Sequence, residues 1–262
     1  MGMKEEEFNS LKNSNLMEYN IKENINNDKN SNLITYSLSE ETKNKLLECK
    51  IGLINAGGSC YMASIIQILI HSKLFLEQLY NNNVNNKINS LSYQFLDFIE
   101  KIASVADYED SIEIKNFASE YNKINNKFRG DKGNNPMTFF IEFIKKLSEE
   151  TNDNILKLFT GKRYVKFKGM PDLNFEEDFI FFLASLNENK YILYDSIFEE
   201  KEFENNNSLK MTEEIKFKPK IFIINLEIDD DIEYNFEELI IIDRIKYYLK
   251  AINRYTKYHS TA

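Results

Sequence analysis

The chain has 262 residues, enough for one large domain or two small ones, and its 42% hydrophobic content, with 20 Phe and 15 Tyr, can fill a sizeable core. A net charge of −9 argues against nucleic acid and anionic membrane surfaces as partners and suits a partner with a basic contact face. Cys49 and Cys60 cannot build a disulfide framework, which points to a reducing compartment, cytoplasm or nucleus; with only His71 and His259 and no CxxC pair, a zinc site is nearly excluded.

Residues 1–46 are rich in Asn, Lys, Glu and Ser and poor in large apolar residues, which predicts a disordered segment with at most short helical turns. No signal-peptide core is found there, and Glu6 stands where a myristoylation pattern wants Ser or Thr. No uninterrupted apolar run is long enough to span a membrane. Residues 47–262 read as one folded domain. Gly57-Gly58 predicts a flexible turn, and Ile65, Ile66, Leu69 and Ile70 recur behind it at helical spacing, so a helix or helix pair is expected from Cys60 to about Tyr80. Leu91, Phe95, Phe98, Ile99 and Ile102 form a second helical stripe. Asn135-Pro136 reads as an N-cap followed by proline at the first helical position, with Met137, Phe140, Ile141, Ile144 and Leu147 continuing that helix. The period then changes. Val165 and Phe167 alternate with polar neighbours; Phe222, Ile224, Leu226 and Ile228 form one face of a strand; Glu238 to Ile242 and Tyr247 to Arg254 read as two more. Asn205 to Ser208 and Asp229-Asp230-Asp231 read as loops or hairpin tips. Helices first and strands second predict an α+β fold.

Cys60 stands at the first turn of its helix, where unsatisfied N–H groups and the helix dipole favour thiolate over thiol. That environment suits a nucleophile, although a free cysteine on its own is more often a small core residue. The surrounding residues decide between the two. The run from Gly52 to Leu69 resembles the cysteine box of the ubiquitin-specific proteases, Gly-Leu-x-Asn-x-Gly-x-Thr-Cys-Tyr-Met-Asn-Ser-x-x-Gln-x-Leu. It keeps Gly52, Leu53, Asn55, Gly57, Cys60, Tyr61, Met62, Ser64, Gln67 and Leu69, and departs at Ser59 and Ala63. Leu158-Phe159-Thr160-Gly161 and the segment from Phe217 to Leu226 are similar to later family motifs, in the right order. The resemblance implies a papain-like cysteine protease fold, a helical thumb followed by an antiparallel β palm and fingers. It implies Cys60 as nucleophile and Asn55 as an oxyanion donor, a role its amide can fill chemically. Ubiquitin or a ubiquitinated protein is the implied partner, and no metal or organic cofactor is required.

A cysteine protease needs a base near its sulfur. His71 lies about 16 Å along the helix from Cys60, at ~1.5 Å per residue, too far to serve, and reads as a helix-end residue. His259 lies in Tyr248-Leu249-Lys250-Ala251-Ile252 … Tyr258-His259-Ser260-Thr261-Ala262, which resembles the family's histidine box Tyr-x-Leu-x-Ala-Val … Gly-His-Tyr-x-Ala. The resemblance makes His259 the general base. Three departures accompany it. The family's third catalytic residue and closing strands lie beyond its histidine, past the last residue of this sequence. Tyr258 and Ser260 replace the histidine's usual neighbours. Asn134-Asn135-Pro136-Met137-Thr138-Phe139-Phe140 stands where the family has Gln-Gln-Asp-Ala-x-Glu-Phe, so Pro136 and Phe139 replace acids that help hold the basic tail of ubiquitin. Glu176-Glu177-Asp178 or Asp229 to Asp231 could substitute, though such runs are more often solvated faces. The leading expectation is therefore a thiol-dependent deubiquitinase. A degenerate member that binds ubiquitin or another protein without catalysis, a fragment of a longer active enzyme, and a cysteine endopeptidase of broader substrate range stand beside it.

Overall fold

The computed structural model describes residues 38–48, 50–55, 57–81, 90–105, 111–128, 134–186, 201–203, 209–228, 236–256 and 259–261. Most of the segment read as disordered lies outside these residues, as do Cys49, Asn205 to Ser208 and Asp229 to Asp231. Its last part is helical: α1 spans Glu40–Glu48. Leu46 is fully buried, Leu38 and Leu47 pack against the same core, and Lys43 reaches Glu77 at 3.6 Å, so tertiary contacts hold a stretch whose composition predicts only short helical turns.

The first half is helical, as its periodicity predicts. After β1 (Gly52–Ile54) come α2 (Cys60–Ile70), α3 (Lys73–Asn81) and α4 (Leu91–Val105), then β2 (Ser111–Glu113), α5 (Lys115–Ile124), α6 (Pro136–Glu150) and the short α7 (Leu156–Phe159). The expected helix from Cys60 to Tyr80 is a pair, broken at His71-Ser72. Asn135 caps α6 as its sequence predicts, its Oδ1 accepting from the N–H groups of Met137 (2.8 Å) and Thr138 (3.2 Å). Glu150, at the other end of α6, accepts from the first two N–H groups of α4, Leu91 (3.0 Å) and Ser92 (2.7 Å). A carboxylate is well placed there, because the orphan donors and positive dipole end of α4 both attract it.

These helices bury one large aromatic core. Phe95 meets Phe143 edge-on at 4.9 Å, and Tyr121, Phe139 and Phe143 form a contiguous set with centroids 5.3 to 5.8 Å apart. Edge-to-face and offset geometries of this kind add to the burial of large apolar rings.

The second half is β-rich. A four-stranded antiparallel sheet has the order β4 (Phe175–Phe179), β3 (Gly161–Phe167), β7 (Leu209–Phe217), β6 (Lys201–Phe203). Gly161 opens β3 under the Phe179 ring; a Cβ there would lie 2.5 Å or less from that ring and 2.7 Å from the Phe217 carbonyl oxygen. In the middle of the sheet Arg163 joins three strands. It donates to Glu177 of β4 (Nε at 2.9 Å, an Nη at 2.7 Å) and to the buried Glu213 of β7 (2.6 Å). Its guanidinium also lies 5.6 Å from the Phe182 ring centroid.

β5 (Phe182–Leu186) pairs in parallel with β8 (Ile224–Ile228), as β1 does with β2. Phe179, Phe182, Ala184, Ile215 and Ile242 form a second core, lined by Phe222, Ile224, Leu226, Ile240 and Tyr247. Ile180, Ile221 and Ile223 reach back to the helical core. Two strand boundaries differ from the sequence reading. β8 begins at Ile224, with Phe222 packed below it outside the strand. The stretch from Tyr247 to Arg254 is two strands rather than one. β10 (Ile245–Tyr248) pairs with β9 (Leu239–Ile242) across a tight Asp243-Arg244 turn, both at positive φ; the Leu249 N–H still reaches the Glu238 carbonyl (2.9 Å), residues 250–253 lie outside any strand, and β11 (Arg254–Thr256) begins a separate hairpin with β12 (His259–Thr261). The apolar alternation runs through this break, which is why the sequence hides it.

Candidate active site

The site is built at the junction of β1 and α2. β1 lies beside β2 and delivers the chain to Asn55. Gly57 (φ 58°) and Gly58 (φ 71°) then adopt left-handed conformations that side chains disfavour. At Gly57 an added Cβ would meet nothing within 4 Å, so conformation rather than space requires glycine. The turn brings Ser59 back to Asn55: the Ser59 N–H and hydroxyl both donate to Asn55 Oδ1 at 2.9 Å. Because the backbone N–H can only donate, the oxygen of the carboxamide must face Ser59. The NH₂ group of this exposed residue is therefore the half that can donate elsewhere.

Cys60 follows as the first residue of α2 and is 8% exposed. The Ser59 carbonyl accepts from Met62 and Ala63 at 3.0 Å, but its hydroxyl, held by Asn55, makes no capping bond. The start of α2 thus lacks a side-chain cap from Ser59, and a helix N-terminus favours negative charge nearby. The rest of α2 is fixed firmly. Met62, Ile66 and Ile70 are fully buried, and the Gln67 side chain donates to the Ile51 carbonyl at 3.0 Å, tying the helix to the entry of β1.

His71 caps the far end of α2, its Nδ1 2.7 Å from the Gln67 carbonyl. This is the helix-end position expected for it, remote from Cys60. His259, in contrast, begins β12 and is paired with Thr256 across the β11–β12 hairpin. β12 packs along α2, so the fold brings the backbone of His259 to the helix that Cys60 begins. One contact not foreseen in the sequence fastens this arrangement. Asn253, immediately before β11, donates from Nδ2 to the Ser64 hydroxyl at 3.0 Å, and Ser64 in turn donates to the Tyr61 carbonyl at 3.1 Å. Ser64 is among the residues that match the cysteine box; Asn253 carries no signal of its own.

The segment that departs from the acidic pattern turns inward. Phe139 is fully buried, edge-on to Tyr61 at 5.5 Å, and Pro136 is buried. Asn134 hydrogen-bonds the Tyr61 hydroxyl, whose pKa burial pushes up. The acids of β4 are engaged within their own sheet: Glu177 with Arg163, Glu176 and Asp178 near Lys162 at 3.6 and 3.8 Å. Among the described residues no cluster of His, Cys, Asp and Glu could hold a metal ion, and no helix is long and apolar enough to cross a membrane.

The family described as ubiquitin carboxyl-terminal hydrolase matches residues 51–258. No curated protein sequence matches the chain. Among solved structures, it is similar to a chain of the SAGA DUB module Ubp8/Sgf11/Sus1/Sgf73 bound to monoubiquitin, with a TM-score of 0.56 and 17% identity over 73% of this chain and 50% of that one. It is also similar to a chain of the Ubp8-Sgf11-Sgf73-Sus1 module (TM-score 0.53, 16% identity, 83% of this chain and 52% of that one). A third similar chain belongs to that module bound to ubiquitin aldehyde (TM-score 0.53, 18% identity, 78% and 50%). At these identities the likeness is one of fold, and the chain spans about half the length of the solved chains it matches.

Proposed function

The chain belongs to the ubiquitin carboxyl-terminal hydrolase family, with the α+β papain-like fold of a ubiquitin-specific protease catalytic domain, and from that membership we propose that it is a thiol-dependent deubiquitinase. Cys60 thiolate attacks the carbonyl carbon of the last glycine of ubiquitin. The carbonyl π electrons move to oxygen, and the Asn55 amide and the N–H of Cys60 stabilise the oxyanion. His259, having taken the thiol proton, returns it to the departing lysine amine as the C–N bond breaks. Water, deprotonated by the same imidazole, then cleaves the thioester to release the ubiquitin carboxylate and restore the thiol. No step needs a metal or organic cofactor.

The observation that carries this reading is the packing of the His259 strand along the helix begun by Cys60. The ubiquitin-bound state of the similar Ubp8 modules supports ubiquitin as the partner. Ubiquitin bearing a C-terminal electrophile tests it. A covalent adduct that is lost in Cys60→Ala and slowed in His259→Ala is expected; folded wild-type protein that forms no adduct would overturn the proposal. The buried Phe139 favours a second reading, a module that binds ubiquitin without cleaving it, since the charge expected there is replaced by core. Saturable binding of ubiquitin without adduct formation would select that reading.

A further inference from the structure

We propose that Asn253 and Ser64 form a positioning couple that sets the distance between the His259 imidazole and the Cys60 sulfur; the proposal rests on the assignment of those two residues as base and nucleophile. Ser64 lies one helical turn after Cys60 on α2 and is 4% exposed. Asn253 immediately precedes the hairpin that carries His259. Their 3.0 Å hydrogen bond fastens the start of β11 to the helix. From there the register leaves little freedom: Arg254 pairs with Thr261, Tyr255 with Ser260 and Thr256 with His259. A shift at Asn253 therefore moves His259 as part of one hairpin.

The position of the bond argues for this role over general stabilisation. Residues 250–253 lie outside any strand, and Leu249 and Ile252 are 41% exposed. With the hairpin's approach so loosely buried, the Asn253–Ser64 bond fixes the residue at which the hairpin begins. The bond is also built into the helix itself, because Ser64 passes a hydrogen bond on to the Tyr61 carbonyl in the turn that contains Cys60. The bond thus links the turn that presents the nucleophile to the strand that presents the base.

The test is the rate at which iodoacetamide alkylates Cys60, followed by peptide mass spectrometry so that Cys49 does not contribute, at about pH 6 and about pH 9. A thiolate held by an imidazolium keeps reacting at the lower pH, and His259→Ala removes that reactivity. We expect Ser64→Ala and Asn253→Ala each to lower the rate at the lower pH by about three- to tenfold, with the rate at the higher pH unchanged. The double variant should lose no more than the larger single loss, as two halves of one contact do. Glu150→Gln, which weakens the cap of α4 away from the site, should lower the melting temperature and leave the alkylation ratio untouched. A ratio unaffected by Ser64→Ala and Asn253→Ala in folded protein would overturn the proposal. So would a wild-type ratio already equal to that of His259→Ala, since there would then be no pair to position. A normal couple in this assay combined with no adduct from the ubiquitin electrophile would instead reject the deubiquitinase reading and leave the positioning role standing.

Discussion

Ser59 decides which way the Asn55 carboxamide points, and that makes one substitution unusually informative. Asn55→Asp keeps an oxygen for both Ser59 bonds but replaces the NH₂ donor with a second carboxylate oxygen, whose charge also repels an oxyanion. If Asn55 stabilises an oxyanion, kcat on a fluorogenic ubiquitin C-terminal substrate should fall by about 10²- to 10³-fold with little change in KM and in melting temperature. A smaller fall would mean that the helix N–H groups carry that charge alone. Glu214 offers a pH test at the same scale. Lys166 (2.7 Å) and Lys216 (2.6 Å) hold its carboxyl down to about 2. A folded-state value below the unfolded one adds stability above about pH 4.5 and loses it as pH falls toward 2. Wild type should therefore be slightly more stable than Glu214→Gln near neutrality. The gap, read from urea unfolding, should close on acidification and shrink in salt because the pairs are half-exposed. Cys60, Asn55 and His259 stand out in the sequence as candidates because motif residues recur at fixed spacing. Asn253–Ser64 does not, since a single bond between residues so far apart in the chain leaves no local pattern.

Helix boundaries were more legible than strand boundaries, for a physical reason. Asn135 announces α6 because its side chain satisfies donors two and three residues away, a local event. Asn135→Ala should cost about 1 kcal/mol in chemical denaturation, with the α6 signal fraying from its N-terminus in hydrogen exchange. Strand ends depend on partners elsewhere in the chain. Nothing near Tyr248 states that the ladder stops there, and the apolar residues that continue to Ile252 suggest the opposite. α1 leaves only a weak local signal, because Leu46 is held by distant helices rather than by its neighbours. Gly161 shows the same dependence on remote partners. Its lack of a side chain is required by the Phe179 ring and the Phe217 carbonyl, and Gly161→Ala should destabilise by about 1 to 3 kcal/mol in urea unfolding despite an ordinary φ.

At the scale of the molecule, the sequence shows a helical half and a β half, and each has its own core. What it does not show is their coupling, to which Ile180, Ile221 and Ile223, the bond from the Ile221 N–H to the Leu158 carbonyl (2.9 Å), the packing of β12 along α2 and the Asn253–Ser64 bond all contribute. The catalytic reading needs that coupling, since Cys60 belongs to one half and His259 to the other. Phe182→Ala, emptying the centre of the second core, should cost about 3 to 5 kcal/mol. With the halves coupled, the helical circular dichroism and the tyrosine fluorescence should be lost in one transition. Two separated transitions would show that the halves unfold independently.

The Arg163 cluster bears on how the sheet avoids assembling wrongly. β3 alternates sides along its length, so a one-residue slip of β4 or β7 would turn Glu177 or Glu213 away from the guanidinium. Glu213 would then lose the guanidinium, and a cation that holds two carboxylates would be left with one. A mispaired sheet thus carries a stranded charge, a penalty that the correct alignment alone escapes. Aliphatic replacement of all three residues, at matched volume, could keep or even raise stability while removing that penalty. The expected symptom is a loss of fidelity: slower refolding, with off-register species and aggregates competing with the native sheet.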